Sequence, residues 1–321
     1  MSDDIEIQKN IDLAEHSYLK VGGTAEQFCV ANNFDQLQDA MVLAKEKKWP
    51  TVIVGQASNL IFADGVYKGL VIKISGGEPS IIKRNKKSVI LEVFAGYPMT
   101  ALARYAAENS LSGLEWAYGL PGTVGGAVRG NAGCYDGETK DVMTEVDVLD
   151  TKDPTQTTTY QNPECKFAYR ESIFKKSPQL IIANVRMQLT PGNADQIKKD
   201  QNEIISKRNA KFPRQPNTGS FFKNIDLHTL DQARIAAIED LIGDKAQDSV
   251  PTGLIIDKLG LKGLKCGSAQ VSDEHANILV NIENNAKSKD FVCLMEKIQS
   301  IVQEKIGINL EPEVQIMDWS N

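Results

Sequence analysis

The sequence predicts a mixed protein of helices and strands that is divided into two domains. Its 321 residues are enough for two hydrophobic cores, and patterns typical of helices and of strands occur in both halves. A stretch rich in proline and basic residues at 208–216 interrupts these patterns. Such a composition is typical of a domain boundary. We therefore expect one domain at 1–213 and a second at 214–321.

Helix and strand patterns alternate through the first domain. Residues 35–48 carry apolar side chains along one side of a helix and lead into an apolar strand at 50–54. A helix is predicted from Pro98 to 106, with the proline in the first turn, where its missing N–H leaves no hydrogen bond unmade. The basic cluster 83–87 is expected at an exposed hairpin tip. Further strands are predicted at 71–74, 89–94, 146–149, 157–160 and 180–189.

A polar helix at 195–209 is predicted to connect the two domains. In the second domain a long helix is expected from Ser288 to its stop at Gly307, because apolar residues recur on one helix face and glycine commonly ends a helix. The other predicted elements are a helix at 229–242, a segment at 253–259 and strands at 277–281 and 314–317.

Composition and cysteine spacing exclude several classes of protein. The net charge of −6 argues against a nucleic-acid partner, and no apolar run is long enough to cross a membrane. The N-terminal residues do not resemble a signal peptide. Five dispersed cysteines without a CxxC pair fit a cytoplasmic protein with neither a disulfide framework nor a zinc site. Three histidines show no ligand spacing, so we expect no metal.

A glycine-rich segment at 113–138 is the most informative feature of the chain. It contains eight glycines and few charges, which predicts neither an ordinary helix nor a strand. Interleaved apolar residues such as Trp116 and Val124 indicate an ordered segment rather than a flexible loop. Glycines let main chain approach a large flat ligand and direct N–H groups at oxygen atoms. We interpret the segment as one half of a cofactor-binding surface.

Another candidate loop follows the predicted strand at 50–54. Gly55 ends the strand, and Ser58 and Asn59 offer short polar side chains beside main-chain N–H groups, which suits a pyrophosphate. A plain strand-ending turn is an alternative. The GxGxxG and GxxxxGK[ST] signatures of other nucleotide sites are absent.

Three further residues are candidates for catalysis. Arg170 lies between aromatic residues and is well shaped to bind a carboxylate, although a structural ion pair is an alternative. Ser220 precedes two phenylalanines, and without a G-x-S-x-G elbow it is a candidate acid rather than a nucleophile. Glu313 shares the start of the last strand with Glu311, and either carboxylate can also be simply solvated.

In their order along the chain, these segments closely resemble the UDP-N-acetylenolpyruvoylglucosamine reductases. The resemblance runs from about His16 to Met317 and looks most like the shorter subtype, which lacks an extra tyrosine-bearing loop. The segments that carry it are Gly22-Gly23, GQASNL (55–60), 113–138, YRESIFK (169–175), GSFFKN (219–224), 260–281 and LEPEV (310–314).

The resemblance implies an α+β fold. It consists of a two-lobed FAD-binding domain of the vanillyl-alcohol-oxidase (PCMH) type, with lobes at about 1–72 and 73–213, and a smaller α+β substrate-binding domain whose last strand, 312–317, returns to the FAD domain. It also implies FAD, NADPH and one small-molecule substrate, UDP-N-acetylglucosamine enolpyruvate. We expect a monomer, although the sequence itself does not reveal the oligomeric state. Hydride would pass from flavin N5 to C3 of the enolpyruvyl group and a proton to C2.

The resemblance also assigns roles to individual residues. Arg170 and Glu313 would stabilise charge that develops on the substrate carboxylate, and Ser220 would donate the proton to C2. Substrate contacts are implied for Tyr135, Tyr169, Lys223, Asn224 and His275. Cofactor contacts are implied for Gly55, Ser58, Asn59, Pro121, Gly122, Thr123, Gly125, Gly126, Asn131 and Gly133.

Two departures from the family pattern stand out. The first loop has Gln56 and Ala57 where consecutive glycines are expected, which matters if either position needs a positive φ. Residues 225–250 form an insertion with a predicted helix of its own, which suggests a surface elaboration or a subunit contact. Another flavin oxidoreductase of this fold, or a UDP-sugar-binding protein without catalysis, remains an alternative function.

Overall fold

The computed structural model describes residues 5–210 and 212–319. The strands are β1 (Gln8–Asp12), β2 (Thr24–Ala31), β3 (Thr51–Val54), β4 (Leu60–Phe62), β5 (Val66–Ile74), β6 (Ser80–Arg84), β7 (Val89–Phe94), β8 (Leu111–Ser112), β9 (Gly133–Cys134), β10 (Gly137–Glu138), β11 (Met143–Asp150), β12 (Asp153–Gln161), β13 (Leu180–Pro191), β14 (Asn217–Ser220), β15 (Ile225–Asp226), β16 (Ser249–Val250), β17 (Lys265–Cys266), β18 (Ala269–Val271), β19 (Ile278–Asn281) and β20 (Gln315–Met317). The helices are α1 (Phe34–Lys47), α2 (Met99–Glu108), α3 (Val124–Gly130), α4 (Thr139–Val142), α5 (Ile173–Lys176), α6 (Ala194–Asn209), α7 (Gln232–Ile242), α8 (Thr252–Lys258) and α9 (Ser288–Ile306).

The chain forms two compact units. The first consists of Met1–Ile11, Ala25–Gln56 and Tyr67–Ala210, and the second of Asp12–Thr24, Ala57–Val66 and Lys211–Asn321. The division after Ala210 lies close to the boundary predicted at 213. The two short N-terminal segments of the second unit were not expected from the sequence, and the lobes at 1–72 and 73–213 stay a prediction.

Two sheets and the helices that pack on them make up the first unit. One sheet has the strand order β1-β2-β5-β3, with β3 parallel to β5. The other is antiparallel, has the order β12-β11-β13-β7-β6, and carries β8 beside β13. Alternate residues of β13 are buried, so one face of this central strand lies in the core. Helix α3, from the glycine-rich segment, contacts β7 and β13.

The second unit is built on a four-stranded antiparallel sheet of order β14-β19-β18-β17. Helix α9 contacts β17 and β18, and its buried residues Phe291, Leu294, Ile298 and Val302 recur at the spacing of one helix face. Separately, β20 pairs in parallel with β4, and both strands belong to this unit.

The insertion at 225–250 leaves and rejoins the second unit at two adjacent, paired strands. Its two ends pair as β15 and β16, with Ile225 opposite Val250. Helix α7 lies between them, contacts α8 and α9, and buries Ile238 in the core of the unit. The insertion is therefore packed against the unit that carries it, with a helix where the sequence predicted one.

The prediction that the glycine-rich segment contains no helix is wrong for its centre. Residues Val124–Gly130 form α3, capped by the Thr123 hydroxyl, which accepts the N–H of Gly126. A Cβ on Gly125 would lie 2.7 Å from the Cβ of Ala95, so glycine is needed here for close packing rather than for a loop. Pro98 caps α2 instead of occupying its first turn, and strands β1 and β2 were not predicted.

One disulfide corrects the expectation drawn from cysteine spacing. Cys266 in β17 is bonded to Cys293 in α9, with their Cα atoms 6.2 Å apart. The pair is 27 residues apart in sequence and meets only because α9 packs on this end of the sheet. Elsewhere, burial raises the pKa of Cys29 and of Cys165 to about 12, so both remain thiols.

We expect the disulfide to stabilise the second unit by about 3 kcal/mol, because it closes a long loop in the unfolded chain. Cys293→Ser should lower the free energy of unfolding by that amount in denaturant titrations without reductant. Adding reductant should bring the parent protein to the level of the variant and leave the variant unchanged. A parent protein whose unfolding is insensitive to reductant would contradict the prediction.

Two structural findings bear on membranes and metals. Within residues 5–210 and 212–319, no helix is both long and apolar enough to span a bilayer. The same residues contain no group of three or more histidine, cysteine, aspartate or glutamate side chains placed to hold a metal ion.

Candidate active site

In the first unit, Gly55 and Gln56, which follow β3, touch the glycine-rich loop at Gly122 and Thr123. A Cβ on Gly55 would lie 2.5 Å from Oγ1 and 2.8 Å from Cγ2 of Thr123, so the main chain of one loop rests on the side chain of the other. Oε1 of Gln56 accepts the N–H of Gly122 at 3.0 Å. The two glycine-containing loops are therefore joined by contact and by a hydrogen bond. The boundary of the unit follows directly after Gln56.

Main-chain carbonyls already hold two N–H groups of the glycine-rich loop. Val124 donates to the carbonyl of Tyr97 and Gly125 to that of Ala95, both at 2.9 Å. These bonds fix the start of α3 against the chain that leads into α2. The N–H groups of consecutive glycines were expected to face a ligand, whereas these contacts give Gly125 a packing role.

Two glycines of α3 leave an open face. A Cβ on Gly126 would meet only Oγ1 of Thr123, at 3.5 Å, and a Cβ on Gly130 would meet nothing within 4 Å. Residues four apart lie on the same side of a helix. The surface beside Gly126 and Gly130 is thus free of side chains of its own, and a flat ring system can approach the main chain there.

In the first loop, the main chain at Ser58 and Asn59 offers hydrogen-bond donors. Among the described residues, the N–H groups of Ser58 and Asn59 have no protein acceptor. Ala57, between Gln56 and this pair, has φ of 51°, so the position does need the left-handed conformation for which glycine was expected. The loop adopts that conformation with an alanine.

Asn131 ties the glycine-rich segment to the turn that carries Arg170. Its side chain is fully buried; Nδ2 donates to the carbonyl of Ala168 at 3.0 Å and to Glu138 at 3.2 Å, and Oδ1 accepts the N–H of Lys140 at 3.1 Å. The sequence predicted a cofactor contact for Asn131. These bonds give its side chain a structural role, and the cofactor contact stays a prediction.

Arg170 lies in a tight turn closed by mutual hydrogen bonds between the main chains of Ala168 and Glu171, each 3.1 Å long. Its φ of 54° is left-handed, a conformation that costs about 1 kcal/mol or more in a residue other than glycine. The guanidinium donates to the carbonyl of Gly133 at 2.8 Å and lies 5.0 Å from the ring centre of Tyr169. The cation is therefore held beside the end of the glycine-rich segment and is partly buried.

The segment after Gly133 combines strained backbone with a partly buried thiol. Tyr135 and Asp136 have φ of 50° and 64°, and the Tyr135 side chain is exposed, as a substrate contact requires. Arg208, which is buried, donates to Sγ of Cys134 at 3.4 Å. Burial raises the pKa of the Cys134 thiol, which Arg208 only partly offsets, so the structure supports an unreactive cysteine.

In the second unit, a β-bulge sets the position of Ser220. Asn217 lies opposite Val280 and Ser220 opposite Ile278, so one extra residue is accommodated in β14. Gly219 has φ of 72° and donates its N–H to Oδ1 of Asn217 at 2.9 Å. Bulges commonly redirect a side chain next to an active site. Ser220 is half-buried at this bend.

Glu313 precedes β20 instead of starting the last strand as predicted, and its segment runs beside the residues that follow Ser220. The N–H of Glu313 donates to the carbonyl of Phe221 at 2.8 Å, and the N–H of Lys223 donates to that of Glu311 at 2.9 Å. Nδ2 of Asn59 donates to the carbonyl of Glu313 at 3.1 Å. The structure therefore brings Ser220, Asn59 and Glu313 together within one unit.

The other predicted substrate residues of this unit differ in their surroundings. Lys223 is largely buried and pairs with Glu311, whereas Asn224 is exposed. Nδ1 of His275 accepts the N–H of Asn277 at 3.2 Å, which leaves Nε2 to carry the proton in the neutral ring. The His275 ring lies 5.9 Å from that of Phe212. Lys223 and His275 are thus both fixed by neighbours.

Comparison with known proteins identifies the family. Residues 25–159 match a family model described as FAD binding domain, and residues 210–317 match one described as UDP-N-acetylenolpyruvoylglucosamine reductase, C-terminal domain. The reductase of that name from Latilactobacillus sakei is 32% identical over 314 residues, covering 98% of this chain and 94% of that protein. The one from Synechococcus sp. is 35% identical over 313 residues, covering 96% and 92%.

The chain belongs to the UDP-N-acetylenolpyruvoylglucosamine reductase family. The crystal structure of the Thermus caldophilus reductase is similar throughout, with a TM-score of 0.74, 29% identity, and coverage of 98% of this chain and 100% of that one. The fold is therefore the α+β fold expected from the sequence, and it includes an FAD-binding domain. The protein is an oxidoreductase of peptidoglycan synthesis, as its family membership indicates.

The glycines of α3 in the first unit, and separately the N–H groups of Ser58 and Asn59 in the second, have the chemistry that the FAD of this family requires. A flavin needs main chain without intervening side chains, which Gly126 and Gly130 provide. A pyrophosphate needs N–H donors, which are available at Ser58 and Asn59. No lysine or metal is required for either task.

Sequence reasoning missed the residues that hold the reductase site in place. Gln56 was noted only as a departure from glycine, yet its side chain joins the two loops. The carbonyl of Phe221 and the side chain of Arg208 were given no role in the site, although they bind the N–H of Glu313 and Sγ of Cys134. No local pattern signals these contacts, since each partner is remote in sequence.

Proposed function

We propose that this reductase converts UDP-N-acetylglucosamine enolpyruvate into UDP-N-acetylmuramate, with FAD as its cofactor and NADPH as the source of electrons. The observation that carries the proposal is the β-bulge at Ser220, whose following residue, Phe221, is hydrogen-bonded to the segment with Glu313. The Ser220 hydroxyl, as a proton donor, and the Glu313 carboxyl group thus belong to one unit, and the sequence of this unit matches the family's C-terminal domain.

FAD, when bound, would supply the hydride that adds to C3 of the enolpyruvyl group. The residues that would hold it are those of the two loops, from Gly55 to Asn59 and from Pro121 to Gly133. The first offers N–H donors for the pyrophosphate and the second an open helix face for the flavin ring. Both tasks use main chain, which explains why short side chains and glycines predominate.

The protein's own residues would then stabilise the developing negative charge and donate the proton. As C3 gains hydride, negative charge moves into the substrate carboxylate, and a guanidinium beside it stabilises charge that is absent from the ground state. Arg170 is suited to this role because its turn and its bond to Gly133 hold the cation in place. Glu313, if protonated, would donate a hydrogen bond to the same group. Ser220 would place its hydroxyl proton on C2, which completes the reduction.

Tyr135 and Tyr169 are proposed to contact the UDP-sugar, since both present exposed rings beside the Arg170 turn of the first unit. Lys223, Asn224 and His275 are proposed to contact it from the second unit. A cytoplasmic location and a monomeric state remain parts of the proposal.

The test is to follow the two half-reactions separately. We expect the purified protein to be yellow, to release FAD on denaturation and to lose its flavin absorbance when NADPH is added without oxygen. The enolpyruvyl UDP-sugar should restore the absorbance and yield a product heavier by two hydrogens. A protein that cannot be reconstituted with FAD, or a reduced flavin that this substrate does not reoxidise, would contradict the proposal.

A further inference from the structure

One long-range hydrogen bond links the two loops that we assign to FAD. Oε1 of Gln56 accepts the N–H of Gly122 at 3.0 Å across 66 residues of sequence. Gln56 lies two residues after the end of β3, and Gly122 directly precedes the residue that caps α3. Each end of the bond therefore belongs to a loop whose position is set by a regular element.

The peptide groups on both sides of Gly122 are held. Its N–H is bound by Gln56, and its carbonyl accepts the N–H of Met99 at 2.9 Å. Gly122 has φ of 114°, a conformation that residues other than glycine rarely adopt. Because glycine has many other conformations open to it, its orientation depends on these two bonds.

The N–H of Gly122 has a different kind of acceptor from the neighbouring N–H groups of the second loop. Val124 and Gly125 donate to main-chain carbonyls, and Gly126 donates to Thr123 of its own loop. Of these four N–H groups, that of Gly122 is the one bound by a side chain from the first loop. A substitution at position 56 can therefore release the second loop from the first without breaking α3.

We propose that Gln56 is a positioning residue for FAD: its side-chain oxygen fixes the second loop against the first and so sets the spacing in which both meet the cofactor. The inference rests on the proposed use of FAD. A neutral amide suits the position, because it accepts the Gly122 N–H without adding negative charge beside a pyrophosphate. The residue that departs from the family's glycine thereby gains a specific task in this chain.

The test uses Gln56→Met with Gln36→Met as a matched control. Oε1 of Gln36 also accepts a main-chain N–H, that of Asn32 at 2.8 Å, but at the start of α1. Two quantities are measured: hydrogen exchange of the Gly122 amide in protein stripped of FAD, and the dissociation constant of FAD by flavin fluorescence. For Gln56→Met we expect exchange to quicken, and FAD binding to weaken, by about three- to tenfold, which is the effect of one hydrogen bond.

Gln36→Met should change neither quantity. Gln56→Glu keeps an oxygen acceptor and should retain slow exchange at Gly122, even if its charge weakens FAD binding. Unchanged exchange in Gln56→Met, or faster exchange with unchanged FAD affinity, would overturn the inference. A parent protein that binds no FAD at all would overturn the proposed function itself, and this inference with it.

Discussion

Ser220→Ala is expected to lower turnover of the enolpyruvyl substrate by about 10²–10⁴-fold while NADPH reduces the flavin at its normal rate. The lost hydroxyl would be the proton donor to C2, and general acid catalysis contributes an effect of this size. The fold should tolerate the change, because the bulge is set by Gly219 and by Asn217 rather than by the serine side chain. Stopped-flow measurement of flavin reduction and reoxidation separates the two steps.

The same strand provides a matched control for this prediction. Thr218 carries a buried hydroxyl that has no hydrogen-bond partner among the described residues. Thr218→Val removes that hydroxyl two residues before Ser220, and we expect normal reoxidation with unchanged or slightly raised stability. Ser220→Cys restores an acidic proton and should recover part of the rate. Equal reoxidation in Ser220→Ala and in the parent would show that the proton comes from elsewhere.

How far the sequence predicts the fold depends on how local the determining pattern is. Helix α9 was predicted closely, because its apolar spacing and its terminal Gly307 are features of neighbouring residues. Strands β1 and β2 were missed, since their stability comes from partners elsewhere in the sheet. Helix α3 was missed for another reason: glycine disfavours helices in isolation, and only the packing against Ala95 makes it the required residue.

The residues of the candidate site likewise separate into those that the sequence predicted and those whose contacts it did not reveal. Glycines and short polar residues pointed to the two loops, and YRESIF pointed to Arg170, because these residue types carry the relevant chemistry themselves. The sequence did not reveal that Asn59 and Asn131 use their side chains to hold Glu313 and the Arg170 turn. An amide that binds a distant carbonyl looks the same in sequence as one that binds a ligand. The disulfide between Cys266 and Cys293 was missed likewise.

Arg170→Asn is expected to reduce kcat/KM for the enolpyruvyl substrate by about 10²–10³-fold, the usual effect of removing one group that stabilises developing negative charge. Asparagine is chosen because it tolerates the left-handed backbone that Arg170 adopts, so the turn should keep its shape. The kcat/KM of Arg170→Lys should lie between those of the parent protein and Arg170→Asn, because lysine keeps the positive charge without the planar pair of donors. Steady-state kinetics at saturating FAD and NADPH measure the loss.

Lys166→Asn is the control that separates charge from backbone. Lys166 is an exposed cation with φ of 48° in the same unit. Lys166→Asn therefore also replaces a positively charged side chain by asparagine at a left-handed position. Its kinetics and thermal stability should match those of the parent protein. If Arg170→Asn also stays within about threefold of the parent, or about 0.7 kcal/mol, the guanidinium does not act on the transition state. Arg170 would then serve only to bind Gly133 and Tyr169.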